Sequence, residues 1–119
     1  MSEILELLSL ISRLLHAENV LILCHKNPDG DTVGSSAALY HALKGLGKTA
    51  ALLCSDPIPA RYSYMQAEQF TGQFEPGYIV AVDVASIQLF GDGVKPYSDK
   101  VDLCIDHHIS NKYFANQSY

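Results

Sequence analysis

Apolar residues near the start of the chain recur every three or four positions, which is the spacing of one face of a helix. The stripe consists of Ile4, Leu7, Leu8, Ile11, Leu14 and Leu15. Ser2 is a candidate N-cap, and the acidic Glu3 and Glu6 suit the positive end of a helix dipole. The pattern therefore predicts a first helix over residues 3–16.

Four later segments are mainly apolar and are predicted to be strands. The first of them has no alternation with polar residues, which is typical of a strand that is buried on both faces. They lie at 20–24, 48–54, 78–82 and 101–105. A second helix is predicted to begin with Asp31 or Thr32 as its N-cap and to run to Leu46. Short helical segments are predicted over 60–66 and 86–90, and residues 113–119 can open a fifth strand.

The alternation of strands and helices indicates βαβ units and a mostly parallel sheet. We expect an α/β fold with three layers, similar to a Rossmann fold, in which the first four strands lie side by side in the order 2-1-3-4. Ligands of such sheets bind beyond the carboxyl ends of the strands, where the strand order reverses. That position lies between the first and third strands.

Polar clusters directly follow three of these four predicted strands. The segment HKNPDGD at 25–31 follows the first, Asp83 follows the third, and the triplet Asp106-His107-His108 follows the fourth. The candidate metal ligands are His25, Asp29, Asp31, Asp83, Asp106, His107 and His108. So many carboxylates and imidazoles in one crevice need a cation, and oxygen and nitrogen donors without thiolate favour Mn²⁺, with Mg²⁺, Co²⁺ or Fe²⁺ as competitors.

A pair of metal ions suits hydrolysis at phosphorus, and Asp83 is the best placed carboxylate to bridge the two ions. Each cluster also has an ordinary interpretation. Residues 27–31 alone read as a turn followed by an N-cap, a single Asp after a strand is usually a loop residue, and adjacent histidines are most often solvated. The joint pattern of three clusters at strand ends favours the metal site.

Charge and composition narrow the class of partner. The formal net charge of −5 argues against a surface that grips long nucleic acid, although small phosphorylated ligands can still be held through metal ions. The three widely spaced cysteines predict neither a disulfide framework nor a zinc cluster, and favour the cytoplasm. We expect no signal peptide and no membrane partner.

The order and spacing of the three clusters resemble the DHH phosphoesterase family, which takes its name from the triplet seen here as Asp106-His107-His108. The first family motif is similar to residues 25–31 followed by Gly34-Ser35, and the second is similar to Val82-Asp83. The sequence PDGD at 28–31 is most similar to the motif of one branch of the family. That branch degrades very short RNA (nanoRNase, an exonuclease) and removes phosphate from the nucleotide 3′-phosphoadenosine 5′-phosphate. Manganese-dependent inorganic pyrophosphatase, another DHH phosphohydrolase, remains an alternative, as does a non-catalytic fragment.

The resemblance implies two metal sites and a water activated by two metal ions. One ion is held by His25, Asp29 and Asp83, and the other by Asp31, Asp83 and His107. Mn²⁺ is the expected metal, with Mg²⁺ or Co²⁺ as alternatives.

By the same resemblance, His108 is a catalytic residue beside the attacked phosphate, where it orients the phosphate or transfers a proton, and Asp83 shares the catalytic role as the bridging ligand. Asp106 and Asn27 support the metal ligands without touching the metal.

Members of this family continue well past the triplet into a further Asp ligand, a linker and a glycine-rich substrate-binding domain. We therefore expect residues 1–119 to be a truncated N-terminal DHH catalytic domain whose sheet is incomplete at its C-terminal side. Exposed apolar surface is expected where the remaining elements pack. The substrate is expected to be a small phosphorylated nucleotide or a short oligonucleotide, and a homodimer of the full-length parent is left open.

Overall fold

The computed structural model describes residues 2–119, and within them six short strands form one sheet. In chain order these are β1 (Glu3–Ile4), β2 (Val20–Leu23), β3 (Ala50–Leu53), β4 (Tyr78–Val82), β5 (Leu103–Ile105) and β6 (Gln117–Ser118). Every neighbouring pair is parallel, and across the sheet the strands lie in the order β1-β6-β5-β4-β2-β3. All six carboxyl ends therefore lie at one edge.

Three α-helices and three 3₁₀ helices connect the strands of the described chain. The α-helices are α1 (Leu7–His16), α2 (Gly30–Gly45) and the single-turn α3 (Lys95–Ser98). The 3₁₀ helices span Ala60–Met65, Ile87–Leu89 and Asp92–Val94. None of the helices within residues 2–119 is both long and apolar enough to cross a bilayer.

The predicted α/β architecture with three layers is confirmed. The four predicted strands appear in the predicted relative order, as β3-β2-β4-β5, and β6 and β1 extend the sheet beyond β5. Helices α1 and α2 cover one face, where Leu10, Tyr40 and Leu43 pack on the strands. The other face is covered by short segments, in which Phe90 and Val94 are almost fully buried.

The N-terminal end of the first helix was predicted wrongly. Residues 3–4 form a strand instead, because the Glu3 N–H donates to the Asn116 carbonyl at 2.9 Å and the Leu5 N–H donates to the Ser118 carbonyl at 2.7 Å. Ser2 is not an N-cap either, since its hydroxyl is buried and lies 2.6 Å from the Ser118 hydroxyl. Pairing with distant residues outweighs the local helical pattern here.

The start of α2 differs from the prediction by two residues. Asp29 is the N-cap, and its carboxylate accepts a hydrogen bond from the Thr32 N–H at 3.0 Å, whereas Asp31 and Thr32 lie inside the first turn. The chain enters the helix earlier because Gly30 already has helical geometry. The capping carboxylate is therefore also one of the predicted metal ligands.

Apolar side chains are exposed along β1 and α1. They include Ile4, Leu7, Leu8, Ile11 and Leu15, and Leu8 is 80% exposed. Only Leu10 of α1 is fully buried. The predicted amphipathic stripe is thus present in α1, but much of it faces away from the sheet.

The contact of β2 with β4 decides the position of the site. Val20 pairs with Tyr78 and Leu23 pairs with Ala81, so the residues that follow both strands leave the sheet side by side. Gly77 allows this approach at the other end of β4. A Cβ atom there would lie 2.6 Å from the carbonyl oxygen of Glu18.

We predict that Gly77→Ala destabilises the protein by about 1–3 kcal/mol, because the added methyl group overlaps a backbone atom that cannot rotate away. Gly45→Ala is the matched control, since a Cβ atom at this helical position meets nothing within 4 Å. The control should be neutral or stabilising by about 0.5–1 kcal/mol. Urea unfolding of both variants measures the difference, and equal stability of the two would contradict the packing described here.

Candidate metal centre

Asp83 stands at the carboxyl end of β4 with its side chain in the protein interior. The residue is only 5% exposed and has a positive φ of 64°, in the left-handed region that residues other than glycine seldom occupy. Its N–H is bonded to the carbonyl of Ile105 at 2.9 Å, which ties this conformation to the end of β5. Backbone strain of this kind clusters at functional sites.

Two imidazoles from the DHH triplet approach the Asp83 carboxylate. His107 Nε2 lies 2.9 Å from Asp83 Oδ1, within hydrogen-bond distance, and His108 Nδ1 lies 3.8 Å from the same oxygen. Burial raises the pKa of the Asp83 carboxyl above its usual range, and the hydrogen bond with His107 opposes this shift only in part. A divalent cation would relieve the cost of burying the carboxylate charge.

His25 reaches the same carboxylate from the end of β2. Its Nδ1 lies 2.6 Å from the carbonyl oxygen of Lys26, and because a carbonyl can only accept, Nδ1 carries the proton. Nε2 is then left for another partner, and it faces Asp29 Oδ1 at 3.6 Å. A backbone carbonyl that selects the tautomer is a usual partner of a histidine that binds metal.

Asp29 lies one turn beyond His25, at the start of α2. The backbone N–H of Thr32 holds the pKa of the Asp29 carboxyl below its ordinary value, so this carboxylate is ionised at neutral pH. The hydrogen bond from Thr32 is accepted by Oδ1, and Oδ2 takes no part in the helix cap. Asp29 can thus cap the helix and still offer an oxygen to a metal ion.

The side chains form two groups. Within each group the possible ligand atoms all lie within 4.8 Å of one another. One group is His25, Asp29 and Asp83, and the other is Asp83, Asp106, His107 and His108. Asp83 belongs to both groups. Carboxylate oxygens and imidazole nitrogens without thiolate are donors that suit Mn²⁺ and similar divalent ions, so the residues present fit such ions.

Asp106 has the geometry of a carboxylate that orients a histidine. Its side chain is 2% exposed, and its two oxygens accept hydrogen bonds from His108 Nδ1 at 2.6 Å and from the Asn111 amide at 2.7 Å. Burial alone would raise the pKa of Asp106, but the bonds from Asn111 and His108 outweigh it, and the pKa lies below its ordinary value. With both oxygens occupied, Asp106 is poorly placed to bind metal directly.

The bond to Asp106 also raises the pKa of His108 above that of a free imidazole. More distant negative charges on Asp83 and Asp31 act in the same direction. Since Nδ1 is committed to Asp106, the ring presents Nε2 to solvent. His108 therefore offers a proton donor beside the predicted ligands.

Two of the predicted site residues are not joined to these groups. Asp31 is exposed in the first turn of α2, and its role as a ligand stays a prediction. Asn27 lies on the loop between His25 and Asp29, but the bond found for it runs from its backbone N–H to Asp56 Oδ2, at 2.7 Å. The supporting role of the Asn27 side chain also stays a prediction.

A cleft of about 330 Å³ lies over the carboxyl ends of β4 and β5. Its lining consists of Ser35, Val82, Asp83, Ile105, Asp106, His107 and Tyr119. The cleft places open space directly against the Asp83 and His107 side chains, which a small substrate requires.

Three residues that support the site were not assigned a role in it from the sequence. Asn111 bonds Asp106, Asp56 bonds the loop after β2, and the buried hydroxyl of Thr32 donates to the Val82 carbonyl at 3.2 Å, which joins α2 to the end of β4. The available signal was position, since Asp56 follows a strand and Asn111 follows the triplet. Such short polar residues after a strand are common in ordinary turns as well.

Comparison with known proteins shows the family of this chain. The model of the DHH family, N-terminal domain, matches residues 19–119. The chain is 34% identical over 118 aligned residues to the bifunctional oligoribonuclease and PAP phosphatase NrnA of Thermus thermophilus, an alignment that covers 93% of this chain and 35% of the relative.

The crystal structure of an exopolyphosphatase-related protein from Bacteroides fragilis has a similar fold, with a TM-score of 0.75 at 21% identity. That match covers 93% of this chain and 37% of the other, so the chain spans about a third of the length of both proteins. The family match covers most of the chain and includes all three polar clusters. The chain therefore belongs to the DHH family and matches its N-terminal domain.

Proposed function

We propose that residues 1–119 form the N-terminal catalytic domain of a phosphoesterase that depends on two divalent metal ions. The observation that carries the proposal is the position of Asp83, which belongs to both groups of ligand atoms. A single buried carboxylate shared by two such groups is placed to bridge a pair of metal ions of the kind that catalyses hydrolysis at phosphorus. We assign His25, Asp29 and Asp83 to one ion, and Asp31, Asp83 and His107 to the other.

Mn²⁺ is the metal that we propose, with Mg²⁺ or Co²⁺ as substitutes. Divalent ions held here would neutralise charge on the phosphate oxygens and make the attacking water more acidic. The carboxylates of Asp29 and Asp83 supply the negative charge that holds the ions, and the tautomer of His25 supplies a neutral nitrogen donor.

His108 performs the second part of the proposed chemistry. Asp106 keeps its ring oriented and favours the protonated form, so His108 can bond a phosphate oxygen or give a proton to the departing oxygen. Asn111 donates to the second oxygen of Asp106, which keeps that carboxylate from rotating away from His108.

As substrates we propose short oligoribonucleotides, 3′-phosphoadenosine 5′-phosphate, or both. Support comes from the relative in Thermus thermophilus, whose name describes an oligoribonuclease and PAP phosphatase. The net charge of −5 is compatible with a small anionic substrate that is held through cations. We further propose that the parent protein works in the cytoplasm and that its remaining length supplies the substrate-binding domain.

The substrate prediction is tested on the full-length parent supplied with Mn²⁺. We expect release of nucleoside monophosphates from RNA of two to five nucleotides, or of phosphate from 3′-phosphoadenosine 5′-phosphate. Inorganic pyrophosphate is the comparison substrate. Faster turnover of pyrophosphate would favour the pyrophosphatase alternative, and no turnover of any of these would overturn the proposal.

Asp83→Asn tests the shared ligand. Because one side chain serves both sites, we expect Mn²⁺ stoichiometry, measured by calorimetry on the 119-residue chain, to fall at both sites together. The variant should stay folded, since it removes a buried charge without changing the shape of the side chain. Asp99→Asn removes an exposed carboxylate between α3 and β5, outside both groups of ligand atoms, and serves as the control. Unchanged stoichiometry in Asp83→Asn would contradict the bridging role.

His108→Ala tests proton transfer. In the full-length parent, turnover should fall by about 10²–10⁴-fold, the usual contribution of a positioned acid or base. Mn²⁺ affinity should stay within about threefold of wild type, because a residue that acts on the substrate leaves the assigned metal ligands intact. A large loss of metal binding would instead make His108 a ligand.

A further inference from the structure

Asp56 lies where the loop after β3 meets the loop that carries His25 and Asp29. It stands three residues beyond Leu53, the last residue of β3, at the same edge of the sheet as the metal centre. Its Oδ2 accepts a hydrogen bond from the backbone N–H of Asn27 at 2.7 Å. A bond to a charged acceptor at this distance belongs to the stronger class of hydrogen bonds.

The backbone of Asn27 needs such support. Its φ of 51° lies in the left-handed region, and the residue is exposed between two proposed metal ligands. The preceding residue is also bonded, since the Lys26 N–H donates to the Leu89 carbonyl at 2.6 Å. Two consecutive N–H groups are therefore bonded to two different segments, and together they set the path of the chain from His25 to Asp29.

Asp56 is itself held in a tight turn. The hydroxyl of its neighbour Ser55 accepts a hydrogen bond from the Gly93 N–H at 2.7 Å. The approach is so close that a Cβ atom at Gly93 would lie 2.9 Å from the Cα of Ser55. Pro57 and Pro59 follow, and each restricts its own φ. The backbone that carries Asp56 is therefore held in place by its neighbours.

We propose that Asp56 is a positioning residue for the metal centre. By bonding the Asn27 N–H it holds the loop in the left-handed turn, and this turn directs His25 Nε2 and the Asp29 carboxylate toward Asp83. The inference rests on the proposed metal function, because it explains how two of the ligands are held before metal binds. Asp56 itself is not a ligand.

The test measures Mn²⁺ affinity by calorimetry and the Asn27 amide proton shift by NMR on the metal-free 119-residue chain. In Asp56→Ala the amide proton should move upfield because its acceptor is lost, and Mn²⁺ affinity should fall about 10–100-fold, as for other residues that orient metal ligands. Asp56→Asn keeps a neutral acceptor for the Asn27 N–H. Its fall in Mn²⁺ affinity should be about half as large as that of Asp56→Ala on a logarithmic scale. Asp99→Ala removes an equal charge far from the loop and should leave both readouts unchanged.

The possible results bear separately on the role of Asp56, on its hydrogen bond and on the proposed metal function. Wild-type Mn²⁺ affinity in a folded Asp56→Ala variant overturns the positioning role, and an unmoved Asn27 proton shows that the bond does not form in solution. If Asp56→Ala fails to fold, Asp56→Asn decides alone, and unchanged affinity with an unchanged amide shift overturns the inference. Absence of Mn²⁺ binding by the wild-type chain would instead overturn the proposed metal function, and the role of Asp56 that rests on it would fall as well.

Discussion

A carboxylate buried at the end of the central strand is the constraint on which the rest of this site depends. Removing an isolated carboxylate charge from water costs several kcal/mol or more unless partners compensate. Asp83 is 5% exposed, and its nearest partners are the imidazoles of His107 and His108. Its pKa stays raised despite these contacts. Protein groups therefore compensate the burial of this carboxylate only in part, and a cation held at the proposed metal centre would supply the missing charge.

The parallel register of the sheet provides the geometry that this carboxylate needs. Since β2 and β5 flank β4, the loops after all three strands leave the sheet at neighbouring points. The buried Thr32 hydroxyl then fastens α2 to the last residue of β4. Backbone pairing thus brings together residues that are distant in sequence, including carboxylates that repel one another.

Two of the three histidines of the site are oriented by acceptors that are not among the proposed metal ligands. His25 is directed by the Lys26 carbonyl and His108 by Asp106, and each bond selects the proton position on the ring. Ligands that are held before metal binds lose little conformational freedom on binding. The bond from Asn27 to Asp56 extends the same principle to the backbone of the loop.

The central strands and the position of the main candidate site residues could be predicted from the sequence because their signals are local. A buried parallel strand is a continuous apolar run, and a polar residue directly after it must lie at the carboxyl edge. This reasoning located His25, Asp83 and the triplet correctly at one edge, in the observed order of strands. Asp29 was predicted as a metal ligand because it lies in the turn that follows β2.

Other features were decided only by the tertiary structure. Residues 3–4 carry a helical pattern but form a strand, because their partners lie 114 residues further along the chain. Asp29 caps α2 in place of Asp31 or Thr32, and Asp56 and Asn111 join the site, each through a single hydrogen bond that no local pattern records. The sequence by itself determined which residues end the strands, since burial of apolar runs is a local property. The tertiary structure decided which polar groups meet, because a hydrogen bond depends on distances of tenths of an ångström between atoms that only the folded chain brings together.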